Sequence, residues 1–299
     1  GLVYGSGFEG RTGLLAELAR GRTLFGNDPD TVAQIKDPAR FFPLLDAFGF
    51  AHPETRMQPP AEGSGWLVKR SGGAGGSHVK PMRSRHGARP NRYFQKLQSG
   101  RTLSVLFAAD GRDARVIGVN EQWVAGIAPC APYCYGGAVS GIALPASVRV
   151  GIAALLDRVV RATGLVGLNG LDFILDAHNQ PYVLEINPRP TATIDLYDAD
   201  CAGGLFAAHL RACRGELPQI PGPGCSRAHA IVYARQALRV PARMRWPAWC
   251  TDIPQSGSLI AAGAPICSVH ALAASSAQAR ELVMSRRGFM NALCLEKAA

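Results

Sequence analysis

Long apolar runs are missing from this chain. No stretch reaches the about 18 consecutive apolar residues that a membrane-spanning helix needs, so an integral membrane protein of that kind is excluded. There is no initiator Met, and no basic leader followed by an apolar stretch and a cleavage site. Leu2-Val3-Tyr4 already reads as a strand, so the expectation is that the native chain starts earlier. The eight cysteines include no CxxC pair, and Cys130-x3-Cys134 has no His or Cys companion at zinc-ligand spacing. Reduced, mostly buried thiols are expected, which favours a cytoplasmic setting. His52, His78, His86, His178, His229 and His270 likewise show no paired metal spacing and read as structural or surface groups. His78 differs from these in following a glycine loop.

Acidic residues are also absent from a long segment. Between Gly63 and Ala109 there is no Asp or Glu, while Lys69, Arg70, Lys80, Arg83, Arg85, Arg89, Arg92, Lys96 and Arg101 all fall there. Such a segment attracts polyanions. A nucleoside triphosphate, a nucleic acid and an ordinary solvated basic face all satisfy the charge alone. Between residues 69 and 101 only Tyr93 and Phe94 supply aromatics, and the stacking platforms of single-strand binders are lacking.

What is present suits a folded protein of two or three domains. The chain has 299 residues, 47% hydrophobic and 18% charged, with a net charge of +10. Residues 1–26 read as strand, helix, strand. The turn Gly5-Ser6-Gly7-Phe8-Glu9-Gly10 resembles a dinucleotide-binding turn only loosely, and a plain tight βα turn is the better reading. Asp37-Pro38 opens a helix that Gly49 closes. Strands are expected at Trp66–Lys69, Arg92–Leu97, Leu103–Phe107 and Arg115–Val119, and an amphipathic helix over Val148–Thr163. A hairpin follows at 171–187, and a Pro- and Gly-rich stretch near Pro221 suggests a boundary. Beyond it come short strands at Ala228–Ala234, Ser258–Ile260 and Ile266–His270, then a helix over Gln278–Arg287.

The hairpin carries the most chemistry. With a turn of Ala177-His178-Asn179-Gln180, closed by Asp176 opposite Pro181, Asp172 faces Glu185. Directly opposed side chains have Cβ atoms about 4.5–5.5 Å apart, and like charges there repel. Glu185 and Asn187, two apart, share a face. Two carboxylates and an amide oxygen thus converge with no basic residue on either strand, a donor set suited to Mg²⁺ (or Mn²⁺) shared with substrate phosphates. Arg189, two residues further, is placed to reach a transferring phosphoryl group.

The loop Ser71-Gly72-Gly73-Ala74-Gly75-Gly76-Ser77 follows strand Trp66–Lys69. Glycines let backbone N–H groups approach phosphate, and Lys69 adds charge. The Gly-x4-Gly-Lys-Ser/Thr order of a P-loop is absent. Together, Trp66-Leu67-Val68-Lys69 with this loop, Gln95-Lys96-Leu97-Gln98, Asn169-Gly170-Leu171-Asp172 and Leu184-Glu185-Ile186-Asn187-Pro188-Arg189 resemble the ATP-grasp superfamily, over about residues 31–200. The resemblance implies an ATP-grasp fold, α/β and α+β, with two α+β subdomains clamping ATP. It implies a partial Rossmann-like domain with its linking helix at 1–60 and a small subdomain with the glycine loop at 61–110. A large subdomain with the metal site would span 111–220, and a β-rich C-terminal segment 221–299. In this reading Lys69, Gly72, Gly73, Gly75, Gly76 and Ser77 hold the phosphates of ATP, and Gln95, Lys96, Leu97 and Gln98 form the hinge around adenine. Asp172, Glu185 and Asn187 bind magnesium. Arg189, with Lys69, serves the acyl-phosphate step. The family's acidic hinge residue is replaced by Gln95, Gln98 and Arg101, which leaves the ribose contact unassigned.

The implied activity is ADP-forming ligation of a small-molecule carboxylate to an amine, of which amino-acid addition to a cofactor precursor is one form. Arg83, Arg85, Arg89 and Arg101 are candidates for recognising an acidic substrate, and Thr191, Thr193 and Asp195 for lining the acceptor pocket. The C-terminal segment resembles that of carboligases related to biotin carboxylase, without a Met-Lys-Met biotin-attachment sequence. A biotin-type carboxylase and a nucleic-acid-binding protein using residues 69–101 are the alternatives, with a degenerate ATP-binding regulator behind them. A homo-oligomer is left open.

Overall fold

A computed structural model describes residues 1–83, 87–126, 131–219 and 224–296. Arg85, His86, Cys130 and the boundary near Pro221 lie outside the described residues. At the N-terminus β1 (Leu2–Val3) and β2 (Leu24–Phe25) pair in parallel around α1 (Thr12–Ala19). Two Asp-Pro steps then start two helices in succession. Asp28 accepts from the backbone N–H groups of Asp30 and Thr31 and opens α2 (Pro29–Lys36). Asp37 accepts from Ala39 N–H and opens α3 (Pro38–Phe48), which ends at Gly49 with φ 74°. The sequence reading anticipates the second of these helices and misses the first, although the capping signal is the same.

A four-stranded antiparallel sheet follows, in the order β3 (Thr55–Arg56), β6 (Arg92–Lys96), β4 (Trp66–Arg70), β5 (Lys80–Pro81). Trp66, Val68 and Phe94 form its small core. The remaining chain builds an eight-stranded sheet from β7 (Arg101–Asp110), β8 (Ala114–Val124), β9 (Tyr135–Val139), β10 (Val166–Leu175), β11 (Pro181–Asn187), β12 (Ser226–Tyr233), β14 (Cys250–Thr251) and β16 (Pro265–Ala273). Its order is β11-β10-β7-β8-β9-β12-β16-β14. The short pair β13 (Leu238–Arg239) and β15 (Leu259–Ile260) stands apart.

This topology corrects two of the expected divisions. A cut at residue 110 separates β7 from β8, which are paired along Leu103–Ala109, so Arg101–Asp110 belongs with the large sheet. Apart from the short β13–β15 pair, the strands beyond 221 do not form a separate sheet, because β12 pairs with β9 through Ala228–Ala230 and continues the large one. Backbone hydrogen bonding, which extends past any change in composition, is the reason.

Both faces of the large sheet are covered. Leu103, Val105 and Phe107 point to α4 (Ala146–Thr163), meeting Ile152, Leu155, Leu156 and Val159. Leu106 and Ala108, with the opposite parity, meet Leu168, Tyr197 and Leu205 of the face covered by α5 (Gly204–Ala212). Helix α6 (Ser276–Glu296) sets Val283 and Met290 against Val232 and Val269 at the far end. Among the described residues no helix is long and apolar enough to cross a membrane.

Candidate active site

Asp172 and Glu185 are directly opposed across β10 and β11, and Gly170 faces Asn187. The turn reaches that register by a route the sequence reading does not anticipate. Leu175, not Asp176, faces Pro181, and the pairing then slips by one residue between Asp172 and Phe173. Asp176 Oδ1 accepts from the backbone of His178 and Gln180, and Asn179 takes φ 61°, which lengthens the turn by one residue. A bulge at Leu184 then restores the pairing and keeps both carboxylates on the cavity side.

The charges there are neutralised from outside the hairpin. Lys36, the last residue of α2, places Nζ 2.5 Å from Glu185 Oε2, 3.3 Å from the Ile186 carbonyl and 3.4 Å from Asn187 Oδ1. Asn187 Nδ2 donates to Asp172 Oδ2 at 2.9 Å, and Gln122 Nε2 donates to Asp172 Oδ1 at 3.1 Å. Burial, and then the Glu185 carboxylate, push the Asp172 carboxyl up to about 6. Burial also opposes the charge of Glu185, but Lys36 outweighs it and holds that carboxyl below its ordinary range. Lys36 is the residue that reading along the strands misses. Its helix was legible in Asp28-Pro29, its partners were not.

Lys69 lies on β4, buried, with Nζ 2.6 Å from Gln95 Oε1. Burial pulls its ammonium down to about 8 against the pull of Glu185 and Asp172. Gln95 in turn donates to Thr55 Oγ1, so its side chain holds Lys69 in place. The glycine loop divides in two. Gly75 and Gly76 line the cavity, whereas Gly72, Gly73 and Ser77 do not. Gly72, at φ 67°, lies where a Cβ would come 2.5 Å from Gly10 Cα, and a Cβ on Gly76 would come 1.8 Å from the Tyr133 carbonyl oxygen. These glycines therefore serve close packing of the loop against the N-terminal turn and the approach to β9. Tyr135 N–H seals the second contact by donating to the Gly75 carbonyl at 3.0 Å.

Lys96, Leu97 and Gln98 line the cavity with Ser99 and Gly100. The backbone N–H groups of Lys96 and Leu97 donate to the carbonyls of Glu54 and Gly65. Arg101, a candidate for substrate or ribose, pairs with Glu121 at 2.6 Å instead. Arg189 borders the cavity and is held by a buried ion pair with Glu9 of the N-terminal turn and by the Pro190 carbonyl at 3.0 Å. Glu9 also accepts from Gly7 N–H at 2.7 Å, so the turn that resembled a dinucleotide motif is a holder for this arginine.

Asp172, Glu185, Asn187, Lys69, Gln95 and Arg189 face one cavity of about 730 Å³, with Lys36 reaching it through Glu185 and Asn187. It is lined also from β9 and the residue two before it, from β12 and from the segment after Arg189, through Tyr133, Tyr135, Thr191, Thr193, Ile231 and Tyr233. Among the described residues no cluster of three or more His, Cys, Asp or Glu forms a ready-made metal cage. The donor set still fits Mg²⁺. Two carboxylates and the Asn187 amide oxygen are hard ligands, and Glu185 and Asn187 already accept a cation in Lys36.

Comparisons with known proteins bear on the family and the fold. A D-alanine–D-alanine ligase of Bordetella avium is 36% identical over 102 residues, a match covering 31% of this chain and 31% of that protein. An L-amino acid ligase of Bacillus licheniformis superposes with a TM-score of 0.69 at 13% identity, over 90% of this chain and 75% of its own. A pyruvate carboxylase of Rhizobium etli superposes with a TM-score of 0.75 at 16% identity, over 98% of this chain and 31% of its own. At such identities the structural matches speak for the fold alone. A family model described as an ATP-grasp domain matches residues 35–193, which run from the helix that supplies Lys36 through the carboxylate hairpin to Arg189 and Thr193, and the chain belongs to the ATP-grasp family.

Proposed function

We propose that the chain is an ATP-dependent, ADP-forming ligase that joins a small-molecule carboxylate to an amine. The observation that carries this reading is the convergence of Asp172, Glu185 and Asn187 on one cavity with Lys69 and Arg189, Lys36 standing behind Glu185 and Asn187. A carboxylate oxygen attacks the γ-phosphorus, the bond from that phosphorus to the β–γ bridging oxygen breaks, and ADP leaves. The amine nitrogen then attacks the acyl carbon, the C–N bond forms, and phosphate departs with the electron pair of the C–O bond. The nitrogen proton passes to solvent.

In this chain Lys69 and the Gly75–Gly76 backbone meet phosphate oxygens, and Arg189 stands where the transferred phosphoryl group carries its charge. Magnesium held by Asp172, Glu185 and Asn187 supplies neutralisation of the triphosphate when bound. Free thiols at Cys134, Cys201, Cys213, Cys225, Cys250, Cys267 and Cys294 support a cytoplasmic setting. Aromatic and neutral groups that line the cavity from β9 and β12 favour small organic substrates over a nucleic acid.

The test is an assay with ATP, Mg²⁺, hydroxylamine and each standard amino acid in turn, with release of ADP and hydroxamate measured together. At least one carboxylate is expected to give both in equal amounts. Glu185→Gln is expected to lower that rate by about 100-fold or more while the protein remains folded. Undiminished turnover in the variant sinks the site. A biotin-type carboxylase is the second reading, resting on the resemblance of the C-terminal segment to carboligases related to biotin carboxylase. It predicts ADP release that requires bicarbonate and free biotin, with no hydroxamate.

A further inference from the structure

The part of the cavity lined from β9 and β12 has its own chemistry, set by the direction of its hydrogen bonds. Tyr135 on β9 lies 2.6 Å through its hydroxyl from Nε2 of the buried His229 on β12. The other ring nitrogen of His229, Nδ1, faces Asp195 Oδ2 at 3.9 Å. A neutral imidazole carries one proton and offers one lone pair. Burial, and then the neighbouring His270, hold His229 down at about 3, so the ring is neutral at physiological pH. A carboxylate beside Nδ1 draws that single proton to Nδ1, which leaves Nε2 as an acceptor. Tyr135 must then donate to it, and its oxygen keeps only lone pairs for any further partner.

Tyr233 repeats the pattern. Its hydroxyl donates to the Tyr135 carbonyl at 2.8 Å and accepts from Cys134 Sγ at 3.4 Å. Both phenols therefore spend their protons away from the cavity they line. A surface of this kind accepts hydrogen bonds and donates few, which suits N–H groups and disfavours carboxylate or phosphate oxygens. The cations that line the cavity, Lys69, Lys96 and Arg189, stand on β4, on β6 and just past the end of β11.

We propose that the Tyr135–Tyr233 wall is the amine subsite, in which Tyr135 Oη accepts an N–H of the attacking amine. His229 is the positioning residue that keeps the phenol proton turned away. This inference rests on the ligase reading and assigns its second substrate to a place. Tyr135 orients the nucleophile and takes no proton, so the bonds made and broken are those already described.

The experiment separates the two half-reactions. Hydroxylamine at saturating concentration traps the acyl phosphate, and the amino acid that the wild-type protein couples fastest serves as the specific amine. Tyr135→Phe is expected to raise the KM for that amine about five- to tenfold, the worth of one net hydrogen bond. Hydroxamate formation is expected to stay within about twofold of wild type. His229→Leu should behave like Tyr135→Phe, and His229→Gln, whose Oε1 replaces the Nε2 acceptor, should recover most of the amine affinity. An unchanged amine KM in Tyr135→Phe overturns the proposal, as does hydroxamate formation that falls in parallel with amide formation. Failure of His229→Gln to rescue overturns the role given to His229. A wild-type protein that forms neither hydroxamate nor amide with any amino acid overturns the ligase reading itself, a result distinct from all the others.

Discussion

Two walls of one cavity are polar for opposite reasons. Along β10, β11 and the end of α2, full charges are set against full charges: Lys36 on Glu185, Arg189 on Glu9, and Lys69 near both carboxylates. Along β9 and β12 the polar groups are neutral and linked by directed hydrogen bonds from Tyr135 to His229 and from Tyr233 to the Tyr135 backbone. The charged wall holds ions and depends on elements that arrive from the N-terminal region. The neutral wall selects by the direction of a proton and depends on two adjacent strands. Burying charge demands a partner at close range, whereas a hydroxyl network needs only its geometry satisfied.

The contrast can be broken first at Glu9. Its pair with Arg189 is the most enclosed on the charged wall, with side chains 0% and 9% exposed. Glu9→Gln leaves the guanidinium buried without its counter-charge, and chemical denaturation is expected to register a loss of about 3–5 kcal/mol. A loss below about 1 kcal/mol would mean that Arg189 finds another partner. Lys36→Met comes next. Glu185 keeps 31% of its side chain exposed, so water screens part of the lost interaction, and about 1–3 kcal/mol is expected by the same measurement.

The smallest effect sharpens the comparison through pH. Lys69 has its pKa pulled down to about 8 in the folded protein, below the ordinary lysine value. Below that pH the ammonium is charged and attracts phosphate. Above it, each nucleotide bound must first return a proton to Lys69. Nucleotide affinity, measured by calorimetry, is therefore expected to fall by about tenfold for each pH unit above 8, and Lys69→Arg to flatten the slope. Burial holds the Tyr135 hydroxyl far above this range, so Tyr135→Phe is expected to leave the slope unchanged. A wild-type affinity that is flat through this range would show that Lys69 does not meet the nucleotide.

Much of the charged wall was legible from residue patterns. Alternation along a strand placed Glu185 and Asn187 on one face, and a hairpin model placed Asp172 opposite Glu185. That pairing was reached through a wrong turn, since Leu175 rather than Asp176 faces Pro181, and the bulge at Leu184 compensates. Bulges leave little trace in hydrophobic periodicity, which is why the compensation was invisible. Lys36 escaped notice because its partner is 149 residues away, and Glu9 because its partner is 180 residues away. On the neutral wall His229 was read as a structural histidine. Its burial agrees with that reading, but its link to Tyr135, 94 residues distant, gives it a place beside the cavity.

What the chain determines by itself is local. Asp-Pro steps start helices, period-two alternation orients carboxylates, and glycine runs permit a loop to bend where side chains would collide. What only the tertiary structure decides is which cation meets Glu185, which anion meets Arg189, and which way the proton of Tyr135 points. Those choices depend on ångström-scale separations between segments distant in sequence, and packing of the two sheets and the N-terminal helices sets them, where no local periodicity reaches.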